Sequence, residues 1–331
     1  MRALLSYEPG GPDALRLEEV AAPLVAAGEL LVRVRACSIN FPDTLIIQDK
    51  YQLKPPRPFA PGGEFAGEVM GVGEGVSGWS IGDRLIAATG FGGLAEQVVL
   101  PAERAIRLPA GRSFEEGSAL LMTYATAIHA LVDRGRLKAG ETLLVLGAAG
   151  GIGIAAVEIG KALGARLVAA VSSAEKAQVV REAGANDAIV YPVGPFDKDG
   201  LKALTQQFKG AVGSSGADVI LDPVGGDYSE AALRSVAWEG RFLVVGFPAG
   251  IPRLPLNLTL LKSCDVCGVF WGAFAARDPE ANAAHVEQLF RWWDEGKIAP
   301  KISATYPLER AGEAIAALRD RRAVGKLVVT L

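Results

Sequence analysis

The sequence predicts an α/β protein in which a doubly wound parallel sheet is inserted into a β-rich, barrel-like domain. Three observations predict it. Beyond Ser113, strand and helix patterns alternate, the rhythm of parallel βαβ units. One strand pattern runs through "GAAGGIG" into a helix pattern, the place where such sheets turn tightly against a ligand. Residues 1–110 instead carry short strand patterns broken by Gly and Pro, the texture of a barrel or folded sheet.

The elements follow in order. "ELLVRVRACSI", "GEFAGEVMGVG" and "AEQVVLPAERAIRLP" alternate or run apolar and read as strands. "SFEEGSALLMTYATAIHALVDRG" opens a helix, with Ser113 and Glu116 spaced as a capping box. "ETLLVLG", "RLVAAV", "DAIVY", "ADVILDP" and "RFLVVGF" are strands, with "GIGIAAVEIGKALG" and "SAEKAQVVREAG" among the helices between them. In "PEANAAHVEQLFRWWDEG", Val286, Leu289, Phe290 and Trp293 share one helical face. "ERAGEAIAALRDRR" is a further helix and "GKLVVTL" a closing strand. The layout places residues 1–122 and 268–331 in the β-rich domain and 123–267 in the inserted one.

Composition narrows the function classes. The chain has 331 residues, with 34 Lys plus Arg against 37 Asp plus Glu, for a net charge of −3. No basic run is present, which argues against nucleic acid and anionic membranes as partners. Cys37, Cys264 and Cys267 are too few for a disulfide framework and suit a reducing cytoplasm. No secretion signal opens the sequence, and the longest apolar stretch is glycine-broken and shorter than a membrane span. The single CxxC at 264–267 is a weak metal signal; "DVCGVFWG" reads as a buried strand in which Cys is a small hydrophobe.

The glycine turn carries the first chemical expectation. Ala149, Gly150, Gly151, Ile152 and Gly153 lie between a strand and a helix, where helix N–H groups face a pyrophosphate. An ordinary tight βα turn is the alternative. After the next strand, Ser172 and Ser173 stand where NAD sites place a carboxylate, and Lys176 follows one turn later. Nothing there repels a 2′-phosphate, so NADPH is the expected cofactor. The plainer alternative makes Ser172 a helix cap with Glu175 completing the box and leaves Lys176 in solvent.

With "ACSINFPD", "PGGEFAGEVMGVGEGV", "GDRL", "LKAGETLLVLGAAGGIG" and the "GKLVV" ending in place, the chain resembles medium-chain dehydrogenase/reductases along its whole length. The resemblance implies a GroES-like β-barrel catalytic domain with an inserted Rossmann domain. Zinc members of that family carry Cys at the place of Asn40, His at Gly63 and a third Cys near Met122, so the resemblance implies no zinc here. The four-Cys structural zinc lobe is missing too, and His129 and His285 sit in amphipathic helices. Without a Lewis acid, an electron-poor acceptor is the natural substrate. The chain looks most like the zinc-independent quinone oxidoreductase, or zeta-crystallin-like, branch, although Gly147 stands where that branch often has Ala.

That resemblance implies substrate-side roles for Asn40, Asp43 and Tyr51, with Thr126 near the nicotinamide. Tyr51 is the candidate proton or hydrogen-bond donor. On the cofactor side, Tyr191, Val224, Gly246, Phe247, Phe270 and Trp271 fall at successive strand ends. Lys326 resembles a family position near the cofactor phosphates. The strand around Cys264–Trp271 is expected at a sheet edge, where the family pairs two copies into a homodimer. The expected acceptor is a small quinone. Enals, enones or enoyl thioesters are the alternative, and a non-catalytic NADPH- or RNA-binding crystallin-like role is a third reading.

Overall fold

Residues 1–331, all described by the computed structural model, divide into two units. Met1–Met122 with Pro300–Leu331 form the first, and Thr123–Ala299 the second. The first unit holds β1 (Arg2–Leu5), β2 (Arg16–Glu19), β3 (Glu29–Ile39), α1 (Phe41–Ile46), β4 (Glu64–Val72), β5 (Arg84–Ala88), β6 (Gln97–Pro101), β7 (Ile106–Arg107) and α2 (Phe114–Ser118). The second holds α3 (Thr126–Ile128), β8 (Thr142–Leu146), α4 (Gly151–Ala162), β9 (Arg166–Val171), α5 (Ala174–Ala183), β10 (Asp187–Val190) and α6 (Lys198–Val212). It continues with β11 (Ala217–Asp222), α7 (Asp227–Leu233), β12 (Val236–Val244), α8 (Asn257–Lys262), β13 (Asp265–Gly268), α9 (Trp271–Arg277) and α10 (Pro279–Asp294). The chain returns to the first unit as β14 (Ile302–Pro307), α11 (Ala311–Arg319) and β15 (Lys326–Thr330).

The second unit is a six-stranded parallel sheet in the order β10-β9-β8-β11-β12-β13. Counted from β8, this is the 3-2-1-4-5-6 order of dinucleotide-binding sheets. Its four inner strands are buried on both faces: Leu143, Leu144, Val145, Val168, Ile220 and Phe242 are fully enclosed, as parallel sheets require.

The first unit is built around the long strand β3. One edge of β3 pairs antiparallel with β4. The other edge is divided, with β6 on Glu29–Arg33 and β15 on Ala36–Ile39. The last strand of the chain therefore begins beside the end of β3, with Leu327 opposite Ile39. This register sets up the polar cluster described below.

Two expectations are revised by packing. The second unit extends to Ala299, whereas the sequence reading placed its end at residue 267. Phe274 of α9 stacks on His129 at 4.1 Å, His285 of α10 lies 3.4 Å from Asp133, and beyond α10 the Ala299 N–H donates to Glu158. The helix expected from Ser113 is also interrupted. The Ser113–Glu116 capping box forms, but α2 ends at Ser118 and residues 121–134 wind mostly as wider π-helical turns.

No helix is long and apolar enough to cross a membrane.

Candidate active site

In the first unit, three strand ends bring four polar side chains into the core. Ser38 and Asn40 come from the end of β3, Glu64 from the start of β4, opposite Ser38, and Lys326 from the start of β15. All four are buried, Glu64 and Ser38 completely. Burial on this scale requires full hydrogen bonding, and the cluster supplies it. Glu64 Oε2 accepts from Ser38 Oγ at 2.7 Å, Asn40 Nδ2 at 3.0 Å and Lys326 Nζ at 3.4 Å. Glu64 Oε1 accepts the Met122 N–H at 2.9 Å, and Lys326 Nζ donates to Asn40 Oδ1 at 2.6 Å.

Asp43 lies one turn away, at the start of α1, and is itself fully enclosed. Its carboxylate accepts N–H bonds from Asn40, Gly62 and Gly63. Burial nevertheless pushes its pKa up to about 6. Tyr51 is half-buried against the apolar core of this unit, and burial, with the Asp43 charge second, raises its hydroxyl above the usual value. Burial also pushes the Cys37 thiol well up, which leaves it inert.

These residues do not fit a zinc ion. Asn40 offers an amide already committed to Lys326 and Glu64, Gly63 offers no side chain, and Met122 meets the cluster through its backbone N–H. Zinc sites of this kind require imidazole and thiolate donors, and a buried ammonium repels a second cation. Across the chain, no three His, Cys, Asp or Glu side chains are arranged around a common metal position.

In the second unit, the residues that the sequence reading assigned to a cofactor lie at or near strand ends. β8 leads through Gly147, at φ +56°, into Gly150, which caps α4. The left-handed backbone at Gly147 favours glycine there. A Cβ at Gly153 would stand 2.4 Å from the Gly147 carbonyl oxygen, so the helix sits against the turn as closely as backbone allows. The first-turn N–H groups of Gly151, Ile152 and Gly153, following Ala149, lack partners within the helix.

At the end of β9 the cap is Ser173, not Ser172: Ser173 Oγ accepts the Lys176 N–H at 3.3 Å. Capping falls to Ser173 because its extended backbone is the one that enters the helix. Ser172 instead meets Lys176 Nζ at 3.2 Å, so a hydroxyl and an ammonium stand together where a carboxylate would exclude a 2′-phosphate.

At the end of β11, Asp222 organises the loop of Val224, with its oxygens accepting the Val224 and Gly225 N–H groups and the Ser229 hydroxyl. Gly246 and Phe247 follow β12 as expected, and Thr126 begins α3. These features fit a bound dinucleotide.

The remaining candidates have their own local contacts. Tyr191 is buried in the sheet's core, edge-on to Phe208 and tilted against Tyr228. Trp271 is buried and bonded to Asn282, while Phe270 is exposed. Lys326 belongs to the first unit, with its ammonium engaged by Asn40 and Glu64. The segment expected as a buried strand, β13, lies on the sheet edge, where Cys264 is buried but Val266 is exposed. His129 and His285 both reach Asp133, at 2.6 and 3.4 Å.

Sequence reasoning passed over Ser38, Glu64 as a cluster member, and Asp222. A usable signal existed for the last two: each is an acid at one end of a largely apolar strand.

Comparison with known proteins agrees with this geometry. Residues 26–110 match the alcohol dehydrogenase GroES-like domain, and residues 151–288 match the zinc-binding dehydrogenase family. The latter segment contains none of the positions 40, 63 or 122. The rat quinone oxidoreductase-like protein 2 is 37% identical over 96% of this chain and 89% of its own length. The human synaptic vesicle membrane protein VAT-1 homolog is 30% identical over 99% of this chain and 86% of its own. The Escherichia coli quinone oxidoreductase complexed with NADPH superposes with a TM-score of 0.91 at 29% identity, covering all of both chains. The chain therefore belongs to the medium-chain dehydrogenase/reductase superfamily, as an oxidoreductase related to its quinone oxidoreductases.

Proposed function

We propose that the protein is a metal-free, NADPH-dependent reductase that delivers hydride to quinones. The observation that carries the cofactor half is the pairing of Lys176 Nζ with Ser172 Oγ at the end of β9. An ammonium and a hydroxyl there bind a 2′-phosphate, and the α4 N-terminus binds the pyrophosphate. Val224, Gly246 and Phe247 border the same strand ends. When bound, the reduced nicotinamide supplies the hydride.

The acceptor half rests on the lack of zinc donors around Asn40 and on the kinship with quinone oxidoreductases. A quinone spreads the incoming charge over its own conjugation and needs no Lewis acid. Tyr51 Oη donates a hydrogen bond to the reduced oxygen, Asn40 shapes the polar wall, and Asp43 holds the turn that carries Asn40. Excluding water and fixing orientation are the main tasks of such a site.

Two copies pair through β13, whose outer edge carries exposed Val266 and is followed by exposed Phe270. Three unpaired cysteines suit a reducing compartment such as the cytoplasm.

The test is NADPH oxidation with 1,4-benzoquinone, 9,10-phenanthrenequinone, an enal and an enoyl thioester, each with and without a chelator. The reading expects quinone turnover unaffected by the chelator. Turnover confined to the enal or thioester would replace the substrate class, and loss of turnover with chelator would overturn the metal-free reading.

A further inference from the structure

We propose that Arg57 is the positioning residue for the loop that carries Tyr51, closing that loop by joining its entry to its exit. This inference rests on the proposed function for the role of Tyr51, and it concerns the first unit alone.

The segment between α1 and β4 holds no helix, and its one strand-like contact is the bridge between Phe59 and Ser6. Its entry is held by backbone bonds: the Gln48 and Lys50 N–H groups donate to the Leu45 carbonyl, and the Asp49 N–H donates to that of Ile46. Its exit is held by Phe59, whose N–H and carbonyl pair with those of Ser6. Residues 51–56, between the two, form no hydrogen bond with the rest of the chain. Tyr51 packs against the barrel core from this untied stretch. The backbone alone therefore does not fix where its hydroxyl lies.

Arg57 supplies the missing tie. Its Nη2 donates to the Ile47 carbonyl at 3.2 Å and to Asp49 Oδ1 at 2.7 Å, and its Nη1 donates to Ser6 Oγ at 3.1 Å. The guanidinium also lies 5.1 Å from the centre of the Phe59 ring. One planar group thus joins Ile47 and Asp49, at the entry, to Ser6 and Phe59, at the exit. A rigid fork of donors suits this task, and a single ammonium does not. The Asp49 side chain is 39% exposed and that of Arg57 15%, so the ion pair itself adds little to global stability. Its effect is local: with the ends joined, the segment has fewer conformations to explore. Tyr51 follows Asp49 by two residues, so anchoring Asp49 anchors the start of the stretch that bears the tyrosine.

The experiment deletes the fork. Arg57→Leu keeps an apolar side chain and loses every donor. Amide hydrogen exchange at Gln48, Asp49 and Lys50 should quicken on the order of 10-fold while the amides of β3 keep their wild-type rates. With NADPH and 9,10-phenanthrenequinone, kcat/KM for the quinone should fall on the order of 10-fold, and KM for NADPH should stay within about twofold. In a Tyr51→Phe background the same substitution should change quinone turnover little, because the hydroxyl it positions is already gone. Asp49→Asn removes the acid from a left-handed position, φ +56°, that Asn also tolerates. It should move exchange and quinone kinetics in the same direction by less, and it replaces Arg57→Leu if that variant does not fold. Unchanged exchange, equal losses for quinone and NADPH, or fully additive losses in the double variant would overturn the proposal. An inert Tyr51→Phe would instead remove the tyrosine from the proposed function, with the exchange result still deciding whether Arg57 closes the loop.

Discussion

Asp43 Oδ1 accepts the Gly62 backbone N–H at 3.0 Å inside a fully enclosed turn. With the bonds from Gly63 and Asn40, this geometry favours the ionised acid, yet burial outweighs it and lifts the pKa from 3.8 to about 6. Between those values the folded state binds more protons than the unfolded one. Stability therefore falls as pH rises through that window, and above pH 6 the full cost of about 3 kcal/mol remains. Asp43→Asn lacks this titration. In urea melts, the stability of wild type relative to Asp43→Asn should fall by roughly 2–3 kcal/mol from pH 4 to pH 7. A constant difference would mean that Asp43 is ionised throughout.

Lys176 is expected to decide the preference between nicotinamide cofactors. Its ammonium, paired with Ser172, would have a 2′-phosphate to bind only in NADPH. Lys176→Ala should weaken NADPH roughly 10- to 100-fold and leave NADH nearly unchanged. Calorimetric titration of both nucleotides measures it. Equal losses for the two would show that Lys176 acts elsewhere.

Gly153 and Gly150 should behave differently although both lie in the same turn. A methyl at Gly153 meets the Gly147 carbonyl oxygen at 2.4 Å and the Ala148 backbone at 2.6 Å, whereas at Gly150 its nearest neighbour is 3.3 Å away. Gly153→Ala should cost roughly 1–3 kcal/mol of stability as α4 is forced off β8. Gly150→Ala should cost under about 1 kcal/mol. Similar melts for the two variants would contradict this packing.

Tyr51→Phe separates chemistry from scaffold. The ring, half-buried against the barrel core, is retained, so the melting temperature should hold. Turnover of the best quinone should fall roughly 10- to 100-fold if the hydroxyl bonds the reduced oxygen. Unchanged turnover would reduce Tyr51 to packing.

The βαβ rhythm and the glycine turn were legible in the sequence because each is local: strand, turn and helix signals lie within a few residues of one another. The barrel cluster was not, because Asn40, Glu64 and Lys326 meet only through the pairing of β3 with β4 and β15. Sequence spacing carries no trace of a register that joins positions 40 and 326. The same reason hides the meeting of His129 and His285 at Asp133. Ser172 and Ser173 were ambiguous as caps, since both hydroxyls precede the helix and only backbone angles decide between them. Tyr191 ended a strand as expected, but the aromatic partners that bury it lie on α6 and α7.

On the proposed function, a reduced nucleotide and the residues that orient its acceptor carry the chemistry without a metal. The most direct measurement is the zinc content of the purified protein, by plasma mass spectrometry, on the sample whose NADPH-dependent reduction of 9,10-phenanthrenequinone is assayed. The proposed metal-free function predicts full turnover from protein carrying only trace metal. Stoichiometric zinc that rises and falls with activity would contradict it.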